Sequence, residues 1–135
     1  MSQALYKDDA SIANEASLWR RIPPRHFVRD DNLGRFRPSS AAFDDPPNGS
    51  PMSVVLADLV IASGRVATDM LLGHEGFALA SITAAIARSN QQGVARDPLP
   101  NEPAHAIEFG RKTKSVKKAL ANGSEWVVEP PGHSA

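Results

Sequence analysis

The pattern of apolar and polar residues predicts short strands and helices in mixed order. In "MSVVLA" (52–57), β-branched valines follow a proline, which is typical of a strand that begins after a turn. In "AHAIEFG" (104–110), the larger side chains stand at every second position, as they do along one face of a strand. Two further strands are predicted at 17–22 and 125–131. Because strands and helices do not alternate regularly, we expect an α+β fold with a small mixed or antiparallel sheet.

Two segments predict helices that pack on this sheet. In residues 76–90, alanine fills many positions and larger apolar side chains recur at roughly helical spacing, at Phe77, Leu79, Ile82 and Ile86. We expect this segment to be a central apolar helix that ends before Gly93. Residues 111–121 predict a short basic helix that ends at Asn122–Gly123. Between the strand at 52–57 and the first helix, Gly64 and Gly73 indicate two short helical turns.

The distribution of polar and turn-forming residues predicts one compact domain with flexible ends. Residues 1–16 are polar and without a period, so we expect a flexible segment there, and we expect a flexible tail at 131–135. Residues 17–130 form the single domain. Within it, turn formers dominate from Arg25 to Pro51 and predict a long loop. Long loops of this kind are often functional.

One corner of this loop is predicted in detail. Pro38 fixes its own backbone angle and favours extended geometry at Arg37, so we expect Pro38 to end a short extended piece. We expect the hydroxyl of Ser39 or Ser40 to hydrogen-bond nearby backbone, and Phe43 to anchor the loop in the core. If the Ser39 hydroxyl braces the loop, Ser39→Ala would cost stability on the order of 1 kcal/mol.

Composition excludes several classes of site. The chain of 135 residues has no cysteine, which excludes disulfides, thiolate catalysis and cysteine-ligated metals. Phosphate-binding, dinucleotide-binding, serine-elbow and EF-hand motifs are all absent from the sequence, so we predict no cofactor. The N-terminal residues lack the pattern of a signal peptide, and the most apolar run, Met52–Ala62, is too short to span a bilayer. We therefore expect a soluble cytoplasmic protein without a membrane partner.

The net charge is zero, but charge is segregated along the chain. Residues 18–43 contain six arginines and two acids, and residues 110–120 contain five basic residues and no acid. Because arginine pairs bidentately with phosphate and carboxylate, the two segments predict an anion-binding surface if they meet. Its predicted residues are Arg20, Arg21, Arg35, Arg37, Ser39, Ser40, Arg111, Lys114 and Lys118. The alternative is that these side chains cover apolar surface with their stems and pair with acids elsewhere in the chain.

The candidates for acid–base chemistry are His74, Glu75 and His105. His74 and Glu75 stand between two glycines just before the predicted apolar helix, where Glu75 could equally favour the helix start. His105 shares its strand face with Ile107, so we expect it to point inward as a hydrogen-bonded core residue. The alternative is that it acts as a catalyst. Metal-ligand spacing is lacking, so we predict no metal site, although a site built from three histidines (His26, His74 and His105) stays open.

Three short motifs resemble the opening of NAD-consuming toxins of the RES and ADP-ribosyltransferase type. "WRR" (19–21), "GRFRPSS" (34–40) and "MSVVLA" (52–57) occur in the order of an arginine-bearing strand, a Gly-Arg-aromatic loop and a short apolar strand. The likeness is confined to residues 18–57. It implies an enzyme that uses NAD or a related nucleotide, with a site formed by Arg20 or Arg21, the hydroxyls of Ser39 and Ser40, and an acid, Glu75 or Glu108.

These observations lead to one main hypothesis and two alternatives, and leave open whether the protein is an enzyme. The main hypothesis is a non-catalytic binding module that binds a phosphate-bearing ligand, a nucleotide, nucleic acid or an acidic protein. Its binding surface is formed by the long loop from Arg25 to Pro51 with the arginines before it (the arginine loop) and by the basic helix at 111–121 (the lysine helix). The first alternative is the NAD-consuming enzyme that the resemblance implies. The second is a subunit of a larger protein assembly, for which an exposed apolar patch would be the sign.

Overall fold

The main feature of the fold is a six-stranded antiparallel sheet, seen in a computed structural model that describes residues 5–132. Its strands are β1 (Ser17–Ile22), β4 (Met52–Leu56), β5 (Ala78–Thr83), β6 (Gly93–Arg96), β7 (His105–Phe109) and β8 (Glu125–Val128). They lie in the order β6-β7-β4-β1-β5-β8. A separate two-stranded hairpin is formed by β2 (Phe27–Asp30) and β3 (Arg35–Pro38). The predicted α+β class is confirmed, and every strand pairing is antiparallel.

Three α-helices and three short 3-10 helices complete the described chain. The α-helices are α1 (Ala57–Ala62), α2 (Ala84–Ser89) and α3 (Lys114–Asn122), and the 3-10 helices are Pro24–His26, Ser40–Phe43 and Ala67–Leu71. The basic helix predicted at 111–121 is α3, which begins three residues later because Thr113 is its N-cap and accepts a hydrogen bond from Val116 N at 3.1 Å. In the part of the chain that the structure describes, no helix has the length and apolar content to cross a membrane.

The single apolar helix predicted over 76–90 is wrong. Its first half is β5, and only Ala84–Ser89 is helical, with Thr83 as the N-cap. The physical reason is that β5 lies between β1 and β8 and its residues Ala78, Leu79 and Ala80 are fully buried. A strand that is buried on both faces has a continuous apolar sequence, which periodicity alone does not distinguish from a buried helix.

The sheet has an apolar cluster on each face. On one face, Leu18 and Ile22 of β1 belong to a cluster with Phe43 and with Leu120 of α3, and we call this the α3 face. On the opposite face, Trp19 belongs to a smaller cluster, which also contains Val55, Ala57, Val60, Met70, Leu79 and Ala104. We call this the α1 face. The alternation along β1 therefore divides its side chains between the two faces.

The segment predicted as a long loop is largely built into the fold. Pro38 ends β3, as predicted, and Phe43 is fully buried, which confirms it as the anchor of the loop. The hairpin is attached to the domain by Trp126, whose indole N–H donates to the carbonyl of Phe36 at 3.1 Å and whose ring packs edge-on against Phe27. These contacts hold the hairpin strands that carry Arg29, Arg35 and Arg37 against the rest of the domain.

The predicted flexible ends fall partly outside the described residues. Residues 1–4 and 133–135 are not described. Within the N-terminal segment, the Asp8 carboxylate accepts a hydrogen bond from Val94 N at 2.9 Å, and the Asp9 N–H donates to the carbonyl of the same residue at 2.8 Å. Ile12 is buried in the cluster of the α3 face. The chain from Asp8 onward is therefore attached to the edge strand β6.

Candidate functional site

The candidate site is a cleft where β1 and β4 separate. Their pairing joins Leu18 to Leu56 and Trp19 to Val55 and goes no further, so Arg21 and Ser53 are not paired across the gap. The cleft has a volume of about 130 Å³. The residues that matter for its chemistry are Trp19, Arg20, Arg21, Ser53 and His105. A break in strand pairing thus leaves polar side chains and backbone around a small opening in the sheet.

Arg20 holds this opening in shape. Its guanidinium donates to three backbone carbonyls: Nε to Ala42 at 2.6 Å, Nη1 to Ser53 at 2.8 Å and Nη2 to Asp44 at 3.3 Å. The Ser53 carbonyl, which has no strand partner in β1, is thereby satisfied. Burial lowers the pKa of Arg20 to about 10, against the opposing effect of Glu108, Asp45 and Asp44. A pKa of about 10 still leaves the side chain cationic at neutral pH.

Arg20 also belongs to a group of largely buried charged side chains, which we call the buried charge cluster. Its other members are Asp45, Glu108 and Lys112. The Lys112 ammonium lies 3.1 Å from Asp45 Oδ1 and 3.9 Å from Glu108 Oε2. Glu108 is fully buried, and among residues 5–132 neither of its carboxylate oxygens has a hydrogen-bond partner. Burial raises the pKa of Glu108 to about 7, although Lys112 and Arg20 act in the opposite direction. Arg20 therefore belongs to both the cleft and the buried charge cluster.

Arg21 is the exposed cation of the cleft. Its Nε donates to the carbonyl of Met70, which fixes the direction of the guanidinium group. In the described chain, no acid forms an ion pair with Arg21, and neither Nη1 nor Nη2 makes a hydrogen bond. The pKa of Glu102 is lowered mainly by hydrogen bonds from Arg65, so this acid is already paired with another arginine, although the charge of Arg21 lowers its pKa as well. The terminal nitrogens of Arg21 are therefore available to a ligand.

His105 forms the other wall of the cleft and connects two oxygen-bearing side chains. Its Nε2 lies 3.1 Å from Ser53 Oγ, and its Nδ1 lies 3.1 Å from Asp97 Oδ2 and 2.9 Å from the Asp97 carbonyl oxygen. Two acceptors at Nδ1 favour the tautomer that carries its proton there, so that Nε2 accepts from the Ser53 hydroxyl. His105 is thus a hydrogen-bonded residue at the margin of the core, with its side chain 15% exposed.

Ser53 was not among the residues predicted from the sequence, although a signal for it exists. It is the only polar residue of β4 and is exposed between the buried Met52 and Val54. In a strand that is otherwise buried, one exposed hydroxyl marks the place where the sheet is open to solvent. Its neighbours in the cleft are contributed by β1 and β7, which the sequence does not connect to β4.

The other arginines and serines predicted as anion-binding lie outside this cleft. Arg35 is exposed on β3, and Arg37 pairs with Asp30 at 3.4 Å. Both line a wider groove, near Trp126, that also contains three acids, Asp30, Glu125 and Glu129. The Ser39 hydroxyl is buried and has no hydrogen-bond partner in the described chain, and Ser40 is exposed. The predicted brace by Ser39 or Ser40 is therefore wrong, since neither hydroxyl hydrogen-bonds backbone in the described chain.

The arginine loop and α3 do meet, but through ion pairs rather than through converging cations. The lysines that reach the loop are Lys112 and Lys117, which lie 3.1 Å from Asp45 and Asp44 respectively. The predicted ligands in this segment are Lys114 and Lys118 on α3 and Arg111 just before its N-cap; all three are exposed, and none of the described acids pairs with them. The two basic segments therefore form two separate surfaces.

The predicted pair His74 and Glu75 lies in the turn before β5 and not at a helix start. The His74 ring packs edge-on against Phe77, with Nδ1 3.1 Å from the carbonyl oxygen of Leu72. Glu75 is exposed. Neither residue lines the cleft. Over residues 5–132, no group of histidine and acidic side chains is arranged to hold a metal ion, so His26, His74 and His105 do not converge.

Comparison with known proteins was made at three levels. Neither the protein-family models, nor the curated proteins, nor the solved structures include a match to this chain. The arrangement of Arg20, Arg21, Ser53 and His105 is therefore interpreted from its own chemistry.

Proposed function

We propose that the protein is a binding module for a small anionic ligand, and that the cleft between β1 and β4 receives its phosphate or carboxylate group. The observation that carries this proposal is the position of Arg21, an exposed guanidinium without an acidic partner among the described residues, beside the Ser53 hydroxyl and the His105 imidazole. A planar guanidinium pairs bidentately with phosphate or carboxylate oxygens, and hydroxyl and imidazole groups supply further hydrogen bonds.

The size of the cleft limits the ligand. At about 130 Å³, it is smaller than the roughly 300–1,000 Å³ of pockets that enclose a whole drug-sized molecule. The ligand is therefore small, or it inserts one charged group and leaves the rest outside. The indole of Trp19, which lines the cleft, offers an apolar wall for the part of the ligand next to the anion.

Electrostatics favour an anion at this position. Arg20 and Arg21 are consecutive in β1, and the charge of Arg20 is partly shielded from solvent. A charge in a shielded position acts over a longer distance than one at the surface, because less water screens it. The acids of the buried charge cluster offset part of this field, so Arg21 provides the main attraction.

Isothermal titration of the protein with inorganic phosphate and with succinate, at low ionic strength, tests the proposal. We expect Arg21→Gln to weaken binding about tenfold or more, as the loss of a charge-assisted contact does. Arg25→Gln is the matched control, because Arg25 is exposed and lies outside the cleft. Absence of binding to the wild type, or equal losses in both variants, would contradict the proposal.

A second candidate function is binding of a nucleic acid along α3. It is favoured by three exposed cations, Arg111, Lys114 and Lys118, that have no acidic partner among the described residues. Lys114 and Lys118 are four residues apart on one side of α3, and Arg111 lies just before its N-cap, Thr113. Contacts to phosphates make affinity fall steeply with salt, so DNA and RNA titrations at two salt concentrations test this function. Lys114→Gln with Lys118→Gln should reduce affinity, whereas Arg21→Gln should not.

The NAD-consuming alternative stays a prediction. Arg20 lies close enough to Glu108 for their charges to interact, which is one part of the site implied by the resemblance. Glu108 is fully buried, however, and Ser39 and Ser40 are outside the cleft. Incubation with NAD, with nicotinamide release as the measurement and Arg20→Ala as the control, tests this alternative. Lack of turnover at high protein concentration would remove it.

The subunit alternative also stays a prediction. Several large apolar side chains are exposed between residues 59 and 72, namely Leu59, Ile61, Val66 and Leu72. Exposed apolar groups near one another are typical of surfaces that contact another protein. Light scattering of the purified chain measures its mass in solution, and a strictly monomeric chain at high concentration would argue against self-association.

A further inference from the structure

We propose that Ser53 is the nucleophile of a hydrolytic site, with His105 as its general base and Asp97 as the residue that orients His105. The substrate class is an ester whose acyl or alcohol part bears a carboxylate or phosphate. The anionic part of this specification rests on the proposed function, because Arg21 is the group that would recognise it.

The three side chains form a continuous hydrogen-bonded series. Ser53 Oγ lies 3.1 Å from His105 Nε2, and His105 Nδ1 lies 3.1 Å from Asp97 Oδ2. This is the order of contacts by which a serine, a histidine and a carboxylate act together on unrelated folds, where geometry and not sequence position defines the roles. Ser53 is exposed, as a nucleophile must be.

Backbone pairing fixes the three residues relative to one another. Val55 pairs with His105 across β4 and β7, and Ser53 is two residues from Val55, so Ser53 and His105 share the α1 face. Asp97 directly follows β6, and its N–H donates to the carbonyl of His105 at 3.0 Å. The series is therefore held by the sheet itself. A constellation on paired strands is more rigid than one on loops.

The reaction needs only the ester and water as reactants. Ser53 Oγ attacks the carbonyl carbon while its proton moves to His105 Nε2, and the tetrahedral intermediate expels the alcohol, which takes that proton from His105. The acyl group is then joined to Ser53 as an ester. Water, deprotonated by His105, attacks this ester, the carboxylic acid leaves, and the proton returns to Ser53. The net change is one ester and one water converted into one acid and one alcohol.

The cleft also contains groups that favour the intermediate. In an antiparallel pair, the N–H and C=O of one residue point to the same side, and the Ser53 carbonyl is bonded by Arg20 from the β1 side. The Ser53 N–H therefore faces the gap between β1 and β4. This N–H and the exposed guanidinium of Arg21 are the groups of the cleft that would stabilise the negative charge which develops on the substrate oxygen.

Labelling with a fluorophosphonate probe, followed by mass spectrometry of the modified peptide, tests the proposal on the full chain. The probe forms a bond from its phosphorus to an activated serine oxygen and loses fluoride, so it needs no knowledge of the substrate. We expect wild-type protein to be labelled at Ser53 and Ser53→Ala to be unlabelled. We expect His105→Gln to slow labelling by about 100-fold, the size of a general-base contribution. Ser115→Ala, an exposed serine on α3, is the matched control and should label like the wild type.

Asp97→Asn tests the positioning role. We expect it to lower kcat for a nitrophenyl ester that carries a carboxylate, with little change in KM and an unchanged melting temperature. A change in melting temperature with unchanged kcat would show a merely structural hydrogen bond and overturn the role assigned to Asp97. Wild-type protein that is folded but not labelled at Ser53 would overturn the whole proposal.

The failure of this proposal is distinguishable from failure of the proposed function. Ser53→Ala should abolish labelling, whereas its binding of phosphate or succinate should weaken by only about fivefold, the loss of one neutral hydrogen bond, because Arg21 remains. Anion binding without labelling would overturn the nucleophile and leave the binding module. In a third outcome, Ser53 is labelled, but wild type and Arg21→Gln react equally with anionic and with neutral esters. That outcome would leave the nucleophile and overturn the anionic substrate class.

Discussion

The carboxylate of Glu108 lies 3.9 Å (Oε2 to Nζ) from the ammonium of Lys112, and the two side chains are 0% and 3% exposed. The residues are four apart, at the end of β7 and just before α3. Asp45, 3.1 Å from the same ammonium, and Arg20 complete the buried charge cluster. The cluster connects the loop that follows the Ser40–Phe43 turn to the sheet, and thereby supports the Arg20 side of the cleft.

Glu108→Gln should remove a pH dependence of stability. The pKa of Glu108 is raised from 4.5 to about 7 in the folded protein, so the folded state keeps a proton that the unfolded chain has released. Stability from this group is fully present below pH 4.5 and is lost as the pH rises to about 7. Over this range, the free energy of unfolding of the wild type should fall by about 3 kcal/mol relative to that of the variant. Urea unfolding across this pH range measures it, and parallel curves for the two proteins would contradict the assignment.

Lys112→Met should be strongly destabilising at neutral pH. The substitution leaves the carboxylates of Glu108 and Asp45 without their common cation, and breaking a buried pair by removing one partner costs about 3–5 kcal/mol. Lys114→Met is the matched control, because Lys114 is exposed at the start of α3 and should change stability by no more than about 0.5 kcal/mol. Equal, small effects in urea unfolding would indicate that Lys112 is not buried as described.

Ser39→Ala should leave stability unchanged or raise it by up to about 1 kcal/mol, which reverses the expectation from sequence. The Ser39 hydroxyl is buried without a hydrogen-bond partner in the described chain, so its removal relieves a desolvation cost. Thr113→Ala provides the contrast, since Thr113 Oγ1 accepts from Val116 N and its loss should cost about 1 kcal/mol. Thermal unfolding of both variants compares the two hydroxyls, and a loss at Ser39 as large as that at Thr113 would contradict the structure.

The sequence predicts those elements of the fold whose pattern is local. Alternation identifies β7, the valines identify β4, and Gly64 and Gly73 correctly mark the short helical turns of α1 and of Ala67–Leu71. The sequence does not identify β5, because its two faces are buried by the apolar clusters that pack on either side of the sheet, and residue periodicity does not record that. Of the β2–β3 hairpin, the sequence predicts only the short extended piece that ends at Pro38, because both strands are four residues long and are flanked by turn formers.

The candidate site depends on contacts that the sequence does not contain. Composition and strand pattern indicate Arg20, Arg21 and His105, but they indicate neither Ser53 nor Asp97. They join His105 only because β4 and β6 lie on either side of β7. The sequence also does not show which charged side chains form ion pairs. Lys112 and Lys117 bind acids of the loop, whereas Arg21, in the middle of the most basic segment, has none among the described residues.

The most direct test of the central claim is an NMR titration of the amide signals with inorganic phosphate, because it locates the ligand without any substitution. We expect the largest shifts at residues 19–21, 53–55 and 105, around the cleft, with a saturable dependence on phosphate. Arg21→Gln should raise the phosphate concentration needed for these shifts about tenfold or more, and Arg25→Gln should leave it unchanged. Shifts that are largest at residues 111–118, in α3 and just before it, or that spread evenly without saturation, would contradict the account.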